Sequence, residues 1–303
     1  MQASKTESQY FGKRAILGTM HKKAEALALP LKAGLGMDLQ TCEFDTDQFG
    51  TFTGEKDRQG SAVETAGKKA RLAMRKTKEA RGLGSEGSFG PHPLIPYMAF
   101  SQEFLVLVDD ELEFQVAENV VSTNTNYCHT EVNSIDETDE FLQRARFPSH
   151  ALIVKPVKSQ SSVFGNLKRI FSGQGVPSQI YKGIRDKDSL ASAIRSCRLQ
   201  SSSGLVHVET DMRAHMNPTR MRVLRSLGIK LARRLLCLCQ ECGCPGFGIS
   251  GHDGALPCEE CRFPSDAYAQ ELHSCPRCQY TKTLPRRDGL TYVEALFCQR
   301  CNP

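Results

Sequence analysis

No run of apolar residues approaches the roughly 18 needed to span a bilayer, which excludes a membrane-spanning helix. The first residues, MQASKTESQYFGKR, lack the apolar stretch of a secretory leader, so the expectation is an intracellular, cytoplasmic protein with no membrane partner. Charge of one sign is lacking too. Lys and Arg number 39 against 34 Asp and Glu, and a balance of +5 is too small for a basic nucleic-acid tail or an acidic solvating chain. Several catalytic signatures are missing: Walker A, GxSxG, HExxH, a complete GxGxxG and any readable nucleophilic triad. Cysteine is scarce up to residue 236, with only Cys42, Cys128 and Cys197, and lone thiols of this kind are by default buried.

The remaining ten of the 13 cysteines fall between residues 237 and 303. Eight of them form CxxC pairs: Cys239/Cys242, Cys258/Cys261, Cys275/Cys278 and Cys298/Cys301. Two thiolates three residues apart grip one ion across a tight turn, and two such turns supply the four soft ligands of tetrahedral zinc. Four pairs predict two structural zinc ions, each closed in by four thiolates and without an open position for catalysis. Sequential pairing, first with second and third with fourth, is the favoured expectation; the crossed arrangement stays open. Cys237 and Cys244 are spare, and His252 and His273 are expected in loops.

A length of 303 residues suggests about two domains. Strands are predicted at 14–18, 39–44, 103–108, 114–121, 151–154 and 205–209. Helices are predicted at 22–33, where Pro30 ends or kinks the helix, then after Ser61, at 136–145 and at 188–198. Ser61-x-x-Glu64 is a capping box. It opens a helix that buries Val63, Ala66, Ala70, Ala73 and Met74 and turns Lys68, Lys69, Arg71, Arg75 and Lys76 to solvent. The Gly/Pro-rich stretch 82–96 reads as irregular. Asn217-Pro218 caps and starts a helix to about 236. The expected fold is α/β: a mixed-sheet N-terminal domain over 1–217, with 156–178 as a loop insertion, then a connecting helix over 218–236. A small double zinc-ribbon module over 237–303 completes it.

Three polar segments attract functional interest. DTDQFGTFTGE (45–55) offers Asp45, Asp47 and Glu55 as hard ligands for magnesium, and Thr51 and Thr53 for phosphate oxygens. SEGSFGPHP (85–93) adds Glu86, and His92 as a proton-transfer group. The junction ETDMRAHMNPTRM (209–221) crowds Glu209, Asp211, Arg213, His215 and Arg220 at a strand-to-helix turn, where sheets and helix N-termini take anions. The candidate catalytic set is Asp47, Glu86, His92, Asp211 and His215. Thr51, Thr53, Arg213 and Arg220 are the candidate substrate-binding residues. The structural alternative is that Asp211 and Arg213 merely pin the ribbon to the sheet.

These segments, with PGFG (245–248), LPCEEC (256–261), PRRDG (285–289) and CQRCNP (298–303), resemble in order an uncharacterised family classed as a domain of unknown function. A fainter similarity is to house-cleaning nucleotide pyrophosphatases. It is carried by Thr19-x-His21-x-Lys23, Glu64-Thr65-x-x-x-Lys69-Ala70 and Ser85-Glu86-Gly87, although the Asn of their first loop is absent and 85–93 is not their usual acidic pair. That resemblance implies a magnesium-dependent enzyme acting on a phosphorylated small molecule or nucleotide. The alternative is a nucleic-acid or protein-binding module. It rests on seven basic and no acidic residues between 212 and 236, through which phosphate contacts would be salt-sensitive.

Overall fold

A computed structural model describes residues 8–45, 49, 60–157 and 179–303. The first sheet is mixed and runs β2-β1-β3-β4-β5. β1 (Arg14–Gly18) lies parallel to both β2 (Asp38–Cys42) and β3 (Arg81–Pro91). β4 (Ala99–Asp109) and β5 (Phe114–Ser122) continue antiparallel.

Helices cover both faces of this sheet. α1 (Ala24–Leu35) joins β1 to β2 and ends where Gly36 takes a left-handed φ of 70°. α2 (Ala62–Thr77) joins β2 to β3 across the opposite face, opened by the expected reciprocal bonds between Ser61 and Glu64. Alternate residues of β1 sort to the two sides. Ala15 and Leu17 pack with Leu27 and Leu31 of α1, while Ile16 packs with Ala66, Ala70 and Met74 of α2.

β3 runs straight through the segment expected to be irregular. The reason is tertiary: α2 lies so close that a Cβ on Gly82 would meet Met74 and the Ala70 carbonyl, and one on Gly84 would overlap the Ala66 carbonyl. Glycine here thins a strand so that a helix can sit on it. Pro30 lies inside α1 and does not end it. It is buried against Gly228, where α1 crosses a later helix.

Residues beyond β5 build a separate antiparallel sheet, β6-β9-β7-β8. Its strands are β6 (His129–Val132), β7 (Leu152–Pro156), β8 (Tyr181–Ile184) and β9 (Val206–Thr210). α3 (Asp139–Ala145) and α4 (Lys187–Gln200) pack on it through Phe141, Leu142, Leu190 and Ile194. Residues 158–178, most of the expected insertion, lie outside the described residues.

α5 (Pro218–Leu235) follows, its first turn capped by Asn217, which accepts from Arg220 N at 3.0 Å. Leu227, Leu231 and Leu235 join the core under the first sheet. Gly34 against Ala232, and Gly228 against Leu27 and Pro30, let α5 and α1 approach closely. The chain then forms a three-stranded antiparallel ribbon, β10 (Gly248–Pro257), β11 (Pro264–Ser274) and β12 (Thr281–Pro285). No helix among the described residues is long and apolar enough to cross a membrane.

Candidate metal centres and a buried cationic cleft

The eight CxxC cysteines gather into two groups of four, Cys239/Cys242/Cys275/Cys278 and Cys258/Cys261/Cys298/Cys301, with the sulfurs of each group within 4.8 Å of one another. Sulfur pairs stand 3.7 and 3.6 Å apart in the first group, and 3.9 and 3.6 Å in the second. A tetrahedron with zinc–sulfur bonds near 2.3 Å has edges of about 3.8 Å, so both cages fit zinc. The residues following three of the knuckles, Gly243, Arg262 and Gln279, take left-handed φ values of 67°, 59° and 61°, turning the chain back around each pair.

The pairing is crossed, which corrects the sequential expectation. Ten residues of β10 span roughly 33 Å at the usual strand rise. The first and second knuckles therefore lie at opposite ends of that strand. β11 returns antiparallel and brings the third knuckle back beside the first. Cys237 and Cys244 stay outside the cages, Cys237 exposed and Cys244 buried in the core. His252 and His273 sit in strands, where His252 stacks on Tyr268 at 3.8 Å and His273 bonds Glu271 at 3.0 Å.

The second feature lies beyond the carboxyl end of β1, against the middle of β3. β1 stops at Gly18 and the chain turns away into α1, while β3 runs on to Pro91, which leaves a crevice beside Ser85–Gly87. Three successive β3 residues line it from both faces. Glu86 faces α2 and pairs with Lys69, both buried. Ser85 faces the other way and accepts from Lys23 Nζ through Oγ at 2.9 Å and through its carbonyl at 3.2 Å. Gly87 stands over Glu103, its register partner on β4.

Glu103 is fully buried and receives Arg220 in a forked pair, Nε at 2.5 Å and Nη2 at 3.1 Å. Arg220 also donates to the Met212 carbonyl and lies over the Phe89 ring at 4.9 Å. A Cβ at Gly87 would strike that pair.

Lys23, at the start of α1, is 6% exposed; among the described residues it has no carboxylate within ion-pair distance, and Ser85 receives its ammonium. Burial, followed by the Arg220 cation, pushes its pKa down to about 7. His21 stacks on His215 with ring centroids 5.4 Å apart. Burial and then Lys23 lower His21 to about 3, and burial followed by Arg213 lowers His215. Both rings are therefore neutral at neutral pH. His215 Nδ1 is buried without a hydrogen-bond partner.

The structure thus brings Glu86, Arg213, His215 and Arg220 into one region and separates His92 from it. His92 sits at the β3–β4 tip, where Nδ1 accepts from Leu94 N at 3.1 Å. It lies six residues beyond Glu86, about 20 Å along the strand. Asp211 is buried and accepts from Arg213 Nε and Nη2 at 3.0 and 2.6 Å, a local pair beside the second sheet that does not reach the ribbon among the described residues. Arg220 is consumed by Glu103 rather than offered to a ligand. Glu209 holds Lys155 and His207 on the second sheet. Asp47, Thr51, Thr53 and Glu55 lie outside the described residues.

Lys69 corrects the expectation of a solvated charge, being 7% exposed. It lies one position before Ala70, and the apolar stripe alone does not reveal that Glu86 waits across the helix. Glu103 gave no signal beyond a charge inside an apolar strand, EFLVLV.

The model of a protein family, DUF6671, a domain of unknown function, matches residues 69–303, more than three-quarters of the chain. No curated protein matches the chain.

Proposed function

We propose that this chain, which belongs to the DUF6671 family, binds a phosphorylated small molecule or nucleotide in the cleft beyond the end of β1 and acts on it with magnesium. The observation that carries this reading is Lys23, a buried ammonium that bonds Ser85 and has no carboxylate at ion-pair distance among the described residues. Among the described residues, Lys23, Lys69 and Arg220 gather beside Glu86 and Glu103, and a phosphate oxygen accepts from such donors.

Glu86 is the described carboxylate suited to magnesium, which typically uses one or two carboxylates together with substrate phosphates. Bound there, the ion would neutralise phosphate charge and orient the reacting group. Thr51 and Thr53 are proposed as further substrate-binding residues, and Asp47 as a further catalytic carboxylate. Arg213, oriented by Asp211, is proposed to reach the substrate beside His215. The zinc cages, closed by four thiolates, support the fold and take no part in the reaction.

Zinc-loaded protein, incubated with magnesium and a panel of common and damaged nucleoside triphosphates, is expected to release phosphate or pyrophosphate. Glu86→Gln should abolish release at a temperature where it remains folded, although leaving Lys69 without its buried partner charge should lower the thermal midpoint. Silence across the panel, joined by absence of phosphate or nucleotide binding in calorimetry, would remove this reading.

One observation favours a second reading, nucleic-acid binding. The basic residues of α5 do not all surround it freely. Arg220 is buried, and Arg234 and Lys230 pair with Glu118. The exposed residues Arg222, Arg225 and Arg233 fall on one face at the helical repeat. Changing these three to Glu should abolish salt-sensitive binding of DNA or RNA if that face is used.

A further inference from the structure

Between the tip of the β3–β4 hairpin and the chain entering the second sheet lies a cavity of about 550 Å³. It is separate from the cationic cleft and contains none of Lys23, Lys69 and Glu86. The tip is rigid. His92 N donates to the Met98 carbonyl at 2.7 Å, and Met98 N donates to the Ile95 carbonyl at 2.9 Å. Pro91, Pro93 and Pro96 fix their own φ angles. This turn holds Tyr97 at the cavity wall with 92% of its surface exposed. A rigid loop that presents a bare aromatic ring has already met the ordering cost of binding.

The facing wall carries a second ring, Tyr127. Its position is set by Phe89 on one side, with centroids 6.5 Å apart, and by the edge contact of His129 at 6.4 Å. His129 in turn stacks on His207 at 5.2 Å. Arg144 reaches the cavity from α3. Neither its guanidinium nor the Tyr97 and Tyr127 hydroxyls make a hydrogen bond or ion pair among the described residues. Among the described residues, no acidic side chain lines the cavity, and Arg144 is the one Lys or Arg that does.

We propose that this cavity is a binding site for an aromatic carboxylate. The flat ring lies against Tyr97 and Tyr127, and the carboxylate forks onto Arg144. Offset contact between ring faces favours a planar ligand. One guanidinium, with no second Lys or Arg among the described lining residues, matches a monoanion rather than a doubly charged phosphate.

The test uses the full zinc-loaded chain and 2-naphthoate, followed by calorimetry. Saturable binding to one site is expected. Tyr97→Ala and Arg144→Met should each weaken it by about tenfold, with thermal midpoints unchanged because both side chains are exposed. The neutral isostere 2-naphthylmethanol should bind the parent no tighter than 2-naphthoate binds Arg144→Met. Lys23→Met should leave 2-naphthoate binding intact, which separates this site from the proposed phosphate cleft. The proposal is overturned by any of four results: no saturable binding, full affinity in Tyr97→Ala, equal affinity for the neutral isostere, or tighter binding of 2-naphthyl phosphate.

Discussion

Burying an ammonium without a counter-ion weakens its hold on the proton, and Lys23 shows the effect most clearly. Its pKa falls from 10.5 to about 7 on folding. The native state binds this proton less tightly than the unfolded chain. The Lys23 contribution is therefore most favourable above pH 10.5, declines as pH falls toward 7, and is constant below that. An anion beside the ammonium reverses the shift, so phosphate binding should draw in a proton. At pH 8, calorimetry in buffers of different ionisation heat should report uptake approaching one proton per site. Lys23→Met should report none. His21 follows the same rule in the acid range. With a folded value of about 3 against 6.5, its contribution is intact above pH 6.5 and is lost as pH falls from there toward 3. His21→Phe, which keeps a ring over His215, should flatten that part of the pH–melting profile. Glycine is equally decisive at one position. Gly84→Ala places a methyl group into the Ala66 carbonyl and should cost several kcal/mol in urea unfolding, whereas Gly90, with open space around it, should tolerate alanine within about 1 kcal/mol.

Among the elements, the two metal cages differ in their surroundings. Cys239 and Cys275 belong to the same core cluster as Leu105, Phe114 and Leu231. Cys258 and Cys298 are buried too, but at the far end of the ribbon, near the exposed Phe263, Leu296 and Phe297. Metal analysis should find two zinc ions per chain. Cys301→Ser should leave one ion and preserve the main melting transition. Cys275→Ser should also lose one ion but lower that transition, because a polar, uncoordinated group then sits in the core. The capping box at Ser61, the Asn217-Pro218 start and the CxxC turns were legible because each is specified within a few residues. β3 was hidden because its glycines answer to α2, not to their neighbours in sequence. The cage partners were hidden because strand length and direction decide them. Glu86 and His215 were visible as polar residues in unusual loops, but Lys69 and Glu103 become intelligible only across the sheet.

The molecule as a whole is joined by α5. It packs on α1 and beneath the first sheet, sends Arg220 to Glu103, and reaches toward the second sheet through Thr219, whose hydroxyl accepts from Arg146 at 2.9 Å. Removing one member of a buried ion pair leaves an uncompensated charge, so Arg220→Met should cost about 3–5 kcal/mol in global unfolding. The double variant Arg220→Met/Glu103→Leu should recover part of that loss, since both charges then leave the interior.

The crossed cages have a further consequence for how this chain can vary. The first cage ties the chain entering β10 to the chain leaving β11, so it bolts the open end of a hairpin whose other end is the turn itself, and the second cage joins that turn to the C-terminal knuckle. A one-residue slip between the strands would displace the sulfurs of the first cage by about 3.3 Å, close to its edge, and would open it. Two residues added to β10 alone should therefore cost that zinc ion, whereas two added to each strand should keep it. Among relatives, the lengths of these strands are expected to change together or not at all.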